Sequence, residues 1–450
     1  MTIESPGPLT DSNGPPEKPP ERLAPVRAQE RLGSVDVLRG LAVLGILAMN
    51  IYAFAMPFPA YGNPLKGGGT SVLDLWTWWT THVFFEMKFM TLFSALFGAG
   101  LALMAERAEA RGVRFGGTFY RRLLWLLLIG AVHAYLLWFG DILFWYAICG
   151  LILYPLRRWR PHTLIAVGLI LLCTMVPIAL GFGYVVMPKM QAAAMEAIEG
   201  REAGEELTAE QLGAIEGWEQ FDPGPAQLQA EIDAYRGDYL GQVVYRAPMV
   251  AMFQTVFLLV FGFWRIAGLM LIGMGLMKLG VLSARRSTLF YGFGAAIGFA
   301  VGLPVTWLGA RAMFDHEFEV FYMNQGGYFP NYFGSLFLSF AYLSALMLVF
   351  KSGILTGLKR RLAAVGRMAL TNYLSHTLIC TTLFYGWGFG LFDHLGRLQQ
   401  MFVVLGVWIF QLIVSPIWLE RFRFGPAEWL WRSLTYWRRQ PMRRVVSARR

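Results

Sequence analysis

Three histidines of this chain sit in apolar runs beside a second polar group, at spacings that bring the two together. His82 and Glu86 stand four residues apart, on one face of a helix, with Lys88 about 200° around from Glu86. An imidazole and a carboxyl in a low-dielectric site make an acid/base couple, and the competing reading is a purely structural pair. His133 and Asp141 lie in HAYLLWFGDILFWYAICG, where a tight turn brings both to one level of the membrane. His82 and Glu86 belong at the same level, as does Asn50 in the outer half of the first span. These five groups form the best candidate site. Asn372 and His376, in GRMALTNYLSH, are again four apart but near the opposite face. They either line an entrance there or join helices by hydrogen bonds. In RLGSVDVLRG, Asp36 and Arg39 are three apart, with Ser34 placed to cap the helix. The pair reads as a salt-bridged helix start, or as an Arg39 poised to meet a phosphate or another anion.

The elements that position these groups follow from composition. Only 15% of the 450 residues are charged and 56% are hydrophobic, with a mean hydropathy of +0.46. A soluble chain carries about 25% charged residues, so a soluble enzyme is excluded. The apolar residues fall into runs of about 20, the length of a membrane-spanning helix. Ten spans are expected, at about 37 to 56, 77 to 104, 119 to 139, 141 to 156, 163 to 187, 250 to 279, 288 to 310, 329 to 350, 367 to 388 and 400 to 419. The fourth is short and the sixth long, and 247 to 281 has room for an interfacial helix before a normal span. The fold class is therefore an all-α polytopic integral membrane protein of about ten transmembrane helices.

The net charge of +10 reflects topology, not nucleic-acid binding. With the N-terminus in the cytoplasm, 29 of the 39 Lys and Arg fall on cytoplasmic segments, seven on the opposite side, and three (Arg39, Lys88, Arg265) within spans. Every segment then obeys the positive-inside rule, giving N-in/C-in. Residues 1-30, rich in proline and charge, read as a disordered cytoplasmic tail, and 31-420 as the transmembrane domain. Within it, 188-247 is an acidic extracytoplasmic helical insert with twelve acidic residues from Glu196 to Asp238. Residues 421-450 form a basic, aromatic cytoplasmic tail suited to an anionic leaflet. Cys149, Cys173 and Cys380 lie in apolar runs without CxxC or Cys/His pairing, so neither a disulfide framework nor a metal site is expected. No P-loop, GxSxG elbow or GxGxxG turn is present. The glycines of span seven (Gly294, Gly298, Gly302) and of span six (Gly268, Gly273, Gly275, Gly280) read as close helix packing. LFGAG at Leu96 to Gly100 serves either packing or a ligand chain lying on bare backbone.

Five ordered motifs, RLGSVDVLRGLAVLGILAMNIYAF, FFEMKFMTLFSALFGAGLAL, HAYLLWFGDILFWYAICG, GRMALTNYLSH and FGPAEWLWRSLTYWRRQPMRR, resemble the YeiB-like family of bacterial membrane proteins over roughly residues 31 to 444. The first two segments are also distantly similar to heparan-α-glucosaminide N-acetyltransferase and the wider transmembrane acyltransferases. That resemblance implies transfer of an acyl group from cytosolic acyl-CoA across the membrane, with Asp36, Arg39 and Asn50 in corresponding places. The first outer loop here carries no histidine, so a base falls to His82, Glu86 or His133.

On this reading His133 or His82 is the general base or transient acyl carrier, and Asp141 or Glu86 orients the imidazole. Arg39 and the cytoplasmic basic loops attract the phosphates of acetyl-CoA or another acyl-CoA. The acceptor is an extracytoplasmic glycan or lipid, the location is a bacterial inner membrane, and self-association stays open. The alternative is a transporter or flippase-like carrier of a small or lipidic solute.

Overall fold

The computed structural model describes residues 33–113 and 115–444. The expected N-terminal tail lies outside them. Described residues form helices and turns, and the only β pairing among them is an isolated bridge between Phe422 and Arg443. Helix α1 (Gly33–Ala55) leads to α2 (Val72–Phe84), α3 (Lys88–Ala110), α4 (Gly116–Val132), α5 (Leu143–Leu153) and α6 (Pro161–Gly181). Then come α7 (Met187–Glu202), α8 (Ala209–Glu219), α9 (Pro225–Arg236), α10 (Tyr239–Met252) and α11 (Phe263–Lys278). The chain closes with α12 (Thr288–Asp315), α13 (Phe329–Lys351), α14 (Thr356–Arg367), α15 (Ala369–Phe384), α16 (Arg397–Arg421) and α17 (Pro426–Tyr436).

Among the described residues eight helices are long and apolar enough to cross a membrane, which makes the chain a polytopic all-helical membrane protein. Each of the ten expected spans is helical, the second as two helices, but the fourth and ninth fall short. Helix α5 has 11 residues and α15 has 16, or about 17 and 24 Å at 1.5 Å per residue, against a hydrocarbon core of ~30 Å. The fourth is short in the apolar pattern too, whereas the ninth is not, because a short helix buried among longer ones is as apolar as a spanning one.

Helix α1 is the hub: 78% of its apolar window is buried, against 17% in α6 and α12, which therefore face lipid. Backbones meet where glycine removes the side chain. A Cβ on Gly40 would lie 2.0 Å from the Leu362 carbonyl oxygen, so α1 and α14 pack main chain to main chain. The expected packing glycines act the same way, with Gly273 and Gly268 of α11 against α3 and α6, and Gly298 of α12 against α13. Ser34 does not cap α1. Its hydroxyl donates instead to the Leu282 carbonyl, 3.0 Å away.

The second expected span is broken. Helix α2 ends at Phe84, Met87 takes a left-handed φ of 64°, and α3 starts at Lys88 without a side-chain cap. The segment around 247 to 281 is the opposite case, one unbroken 40-residue helix, Tyr239–Lys278, with no separate interfacial helix. Helix α6 likewise continues through a π turn into α7 over 42 residues. Both are about 60 Å long, twice the hydrocarbon thickness. The insert is thus built on rigid extensions of two membrane helices, completed by α8, with a Thr208/Gln211 capping box, and by α9.

This cap is docked, not merely solvated. The Phe58 N–H donates to Glu231 Oε1 (3.0 Å), Tyr235 stacks on Phe392 with centroids 4.8 Å apart, and Arg236 donates through Nε and Nη2 to the Phe392 carbonyl. Glu231 is 7% exposed, and burial pushes its carboxyl up to about 7, the Phe58 hydrogen bond opposing. A carboxyl raised in the folded state is equally protonated in both states below pH ~4.5, and costs up to ~3 kcal/mol once the solution passes pH ~7. Stability is therefore lost as pH rises across that window. Glu231→Gln keeps the acceptor oxygen and removes the charge. Its unfolding midpoint is expected to match wild type at pH 4.5 and exceed it at pH 8. Equal midpoints at pH 8 would show a carboxyl that ionises freely.

Candidate active site

An elongated cavity of about 240 Å³ opens at the end of the bundle that carries the basic loops. Its mouth holds five arginines (Arg39, Arg107, Arg122, Arg367, Arg432) and two carboxylates (Asp36, Glu428). Arg39 Nη1 lies 3.3 Å from Asp36 Oδ1, so the i, i+3 pair and the anion-facing arginine are one and the same feature. Along α3 the lining runs from Arg107 to Phe93, a depth of about 21 Å at 1.5 Å per residue. The inner walls are apolar, with Leu96, Phe97, Leu126 and Leu143 among them. A Cβ on Gly100 would meet nothing within 4 Å, whereas one on Gly98 would sit 2.0 Å from the Met270 carbonyl oxygen. LFGAG therefore divides its work: Gly98 packs α3 against α11, and Gly100 faces the cavity.

The basic aromatic tail is part of this wall. Glu428 of α17 accepts from the Leu370 and Thr371 amides (2.6 and 3.1 Å) and from the Thr371 hydroxyl (2.6 Å), capping the start of α15. Burial holds its carboxyl above the ordinary range. Trp431 donates its indole N–H to the Arg122 carbonyl, and the Arg122 guanidinium lies 3.6 Å from the Trp431 ring centroid. Periodicity signals an amphipathic helix here but not where its apolar face docks.

At its inner end the cavity is walled by Tyr373, whose ring lies 5.4 Å from that of His133. His133 is 1% exposed and ends α4 in a π turn, His133–Leu137. Its Nδ1 is 2.7 Å from Asp141 Oδ2 and its Nε2 is 2.8 Å from the Thr377 hydroxyl. Asp141 also accepts from the Phe144 amide (2.8 Å), so one carboxylate caps α5 and orients the imidazole. With the carboxylate accepting from Nδ1–H, Nε2 is left as the acceptor for the Thr377 hydroxyl. Gly130 makes room: a Cβ there would be 2.8 Å from Asp141 Oδ1. The turn is held by Arg246 of the cap helix α10, whose guanidinium donates to the Tyr135, Leu136 and Leu137 carbonyls. An acid, an imidazole and a hydroxyl in line form the geometry of proton abstraction from a hydroxyl.

His82 and Glu86 also pair, through Nδ1 and Oε2, with the imidazole stacked on Trp78 at 4.6 Å. They do not join His133. Their partners are Asn331, which donates to Glu86 Oε2 (3.2 Å), and Lys88, which donates to the His82 carbonyl (2.8 Å) and to Asn331 Oδ1 (2.5 Å). The expectation that Lys88 points away from Glu86 assumed an unbroken helix. The left-handed Met87 swings Lys88 back into the cluster. The single site expected from five groups is therefore two, and Asn50, half-buried on α1, belongs to neither hydrogen-bonded cluster. Asn372 and His376 do not line the cavity. They tie α15 to its neighbours, Asn372 through the Val365 carbonyl and Ser415, His376 through Gln411.

Thr377 escaped the sequence reading because hydroxyl residues in membrane helices usually bond the carbonyl four residues back, as Thr381 does to Thr377. Lys88 and Arg265 were visible as basic residues within spans, a signal strong enough to have flagged them. Among the described residues no group of three His, Cys, Asp or Glu side chains is arranged to hold a metal.

Fold and site together define a polytopic helical membrane protein with a basic-mouthed cavity ending beside a buried histidine–aspartate pair. The chain belongs to the YeiB family. It is 34% identical over 414 residues to the uncharacterised protein YeiB of Escherichia coli (strain K12), covering 90% of this chain and 96% of that protein. It is 30% identical over 434 residues to the uncharacterised protein YxaH of Bacillus subtilis (strain 168), covering 93% and 98%. Residues 276–438 match the family described as a protein of unknown function (DUF418). No solved structure matches the chain.

Proposed function

We propose that the protein is an integral-membrane acyltransferase, carrying an acyl group from cytosolic acyl-CoA to an extracytoplasmic glycan or lipid acceptor. The observation that carries this reading is the cavity: five arginines at its mouth, apolar inner walls within a lining that runs about 21 Å along α3 from Arg107 to Phe93, and at its end the tyrosine packed on His133. Phosphates of a CoA suit the guanidinium groups, and a pantetheine arm and acyl chain suit the inner walls. With N-in/C-in topology the mouth faces the cytoplasm and the His133 end lies towards the insert. The bacterial inner membrane, where CoA is available on one side and glycans and lipids on the other, is the setting this requires.

In the reaction His133 Nε2 takes the proton of the acceptor hydroxyl as its oxygen attacks the thioester carbonyl. The C–S bond breaks, and the proton passes to the departing thiolate. Asp141 keeps Nδ1 protonated throughout, and Thr377 occupies the hydroxyl position in the resting molecule. Calorimetry on the purified protein in detergent tests the donor. Acetyl-CoA and desulfo-CoA are expected to bind with micromolar Kd, and Arg39→Ala to weaken both by about ten- to a hundredfold, as befits one charge-assisted hydrogen bond. A folded protein that ignores both ligands at millimolar concentration would remove the transferase reading and leave a carrier of a small or lipidic solute.

A further inference from the structure

A second buried polar cluster lies beside the helix break at Phe85–Met87, and its charges do not balance. Lys88 is fully buried and donates only to the His82 carbonyl and the Asn331 amide oxygen. Arg265 of α11 is 4% exposed. It donates to the Tyr332 carbonyl (3.2 Å), the Thr91 hydroxyl (3.0 Å) and the Ser335 hydroxyl (2.8 Å), with its guanidinium 4.4 Å from the Tyr332 ring centroid. Every hydrogen-bond partner of both cations is a neutral oxygen, and the one carboxylate within electrostatic reach of the two is Glu86. The carboxylate nearby, Glu86, is engaged by His82 and by the Asn331 amide. Two side-chain nitrogens of the cluster, Arg265 Nε and His82 Nε2, are buried without a partner.

A buried cation without a counter-charge costs several kcal/mol, and a bundle bears that cost where a ligand supplies the missing charge. Here two cations face one carboxylate already committed to other partners, and the uncapped start of α3 adds its partial positive charge at Lys88. We infer that this cluster binds one oxyanion, a carboxylate or a phosphate, on a ligand entering from the insert end. The break gives access, for the Glu86 side chain is 15% exposed while that of its partner His82 is 3% exposed. The site shares no residue with the arginine mouth and stands whether or not the protein transfers acyl groups.

The test uses the full-length protein in phosphatidylcholine nanodiscs, with inorganic phosphate and acetate as soluble probes and phosphatidylglycerol replacing part of the lipid as the headgroup probe. At least one probe is expected to raise the unfolding midpoint in a saturable way. A soluble ion acting in phosphatidylcholine identifies a free anion as sufficient, and a response to phosphatidylglycerol alone identifies a lipid headgroup. Thr91→Asp places a carboxylate at Arg265. It is expected to raise the midpoint of the ligand-free protein and weaken the apparent affinity for the probe at least tenfold. Lys88→Met is expected to weaken it as much. Absence of any response in wild type would overturn the inference. So would a Thr91→Asp protein that is less stable and still responds, or a response that Lys88→Met leaves intact.

Discussion

Acyl transfer by a His133→Ala protein is expected to fall by about 100- to 10,000-fold, the range for removing a positioned general base, with acetyl-CoA binding retained. Binding is expected to survive because, on the proposed reading, the donor's phosphates meet Arg39 and its neighbours at the mouth, while His133 stands behind Tyr373 at the inner end. Asp141→Asn separates orientation from bulk. An asparagine fills the same space and still accepts from the Phe144 amide through its oxygen, so the start of α5 is preserved. Its amide nitrogen, turned towards Nδ1, favours the tautomer with the proton on Nε2, and that tautomer cannot accept from a hydroxyl. A loss near that of His133→Ala is expected, with an unchanged unfolding midpoint. Thr377→Val, which removes only the resting hydroxyl, is expected to cost less than tenfold. The measurement is transfer of radiolabelled acetyl from acetyl-CoA into a membrane glycan or lipid fraction, alongside thermal unfolding. Full activity in both His133→Ala and Asp141→Asn would exclude this pair as the catalytic centre, and unfolding of both would mark it as structural.

Gly100→Leu is expected to weaken donor binding by at least a hundredfold without destabilising the fold. The added side chain projects into open cavity, because a Cβ at Gly100 meets nothing within 4 Å. It fills part of the roughly 240 Å³ cavity, which on the proposed transferase reading takes the acyl chain and pantetheine arm. Replacing a helical glycine also favours the folded state by about 0.5–1 kcal/mol. Gly98→Ala, two residues away, is expected to do the reverse. Its methyl would stand 2.0 Å from the Met270 carbonyl oxygen, forcing α3 from α11 and lowering the unfolding midpoint by several degrees. Calorimetry with desulfo-CoA and thermal unfolding of both variants read the contrast. A Gly100→Leu protein that binds desulfo-CoA as wild type does would show that the cavity is not the donor's path.

The amino-acid sequence by itself determines that this protein is an all-helical membrane protein. Apolar runs of about 20 residues leave no other way to satisfy backbone hydrogen bonds. It also determines the pairs His82/Glu86 and His133/Asp141, because i, i+4 spacing and a tight hairpin are local geometry. Thr377 reaches His133 across 244 positions, and Asn331 reaches Lys88 across 243. Such partners depend on which helix neighbours which, a matter of packing that no local pattern encodes. For the same reason, only the tertiary structure decides that the pairs stand in separate clusters and that Gly100, not Gly98, faces open space. Two spans become short inner helices, and the basic tail becomes a wall of the cavity. These features belong to three-dimensional arrangement, because a side chain's chemistry sets what it can bond, while the bundle sets what it meets.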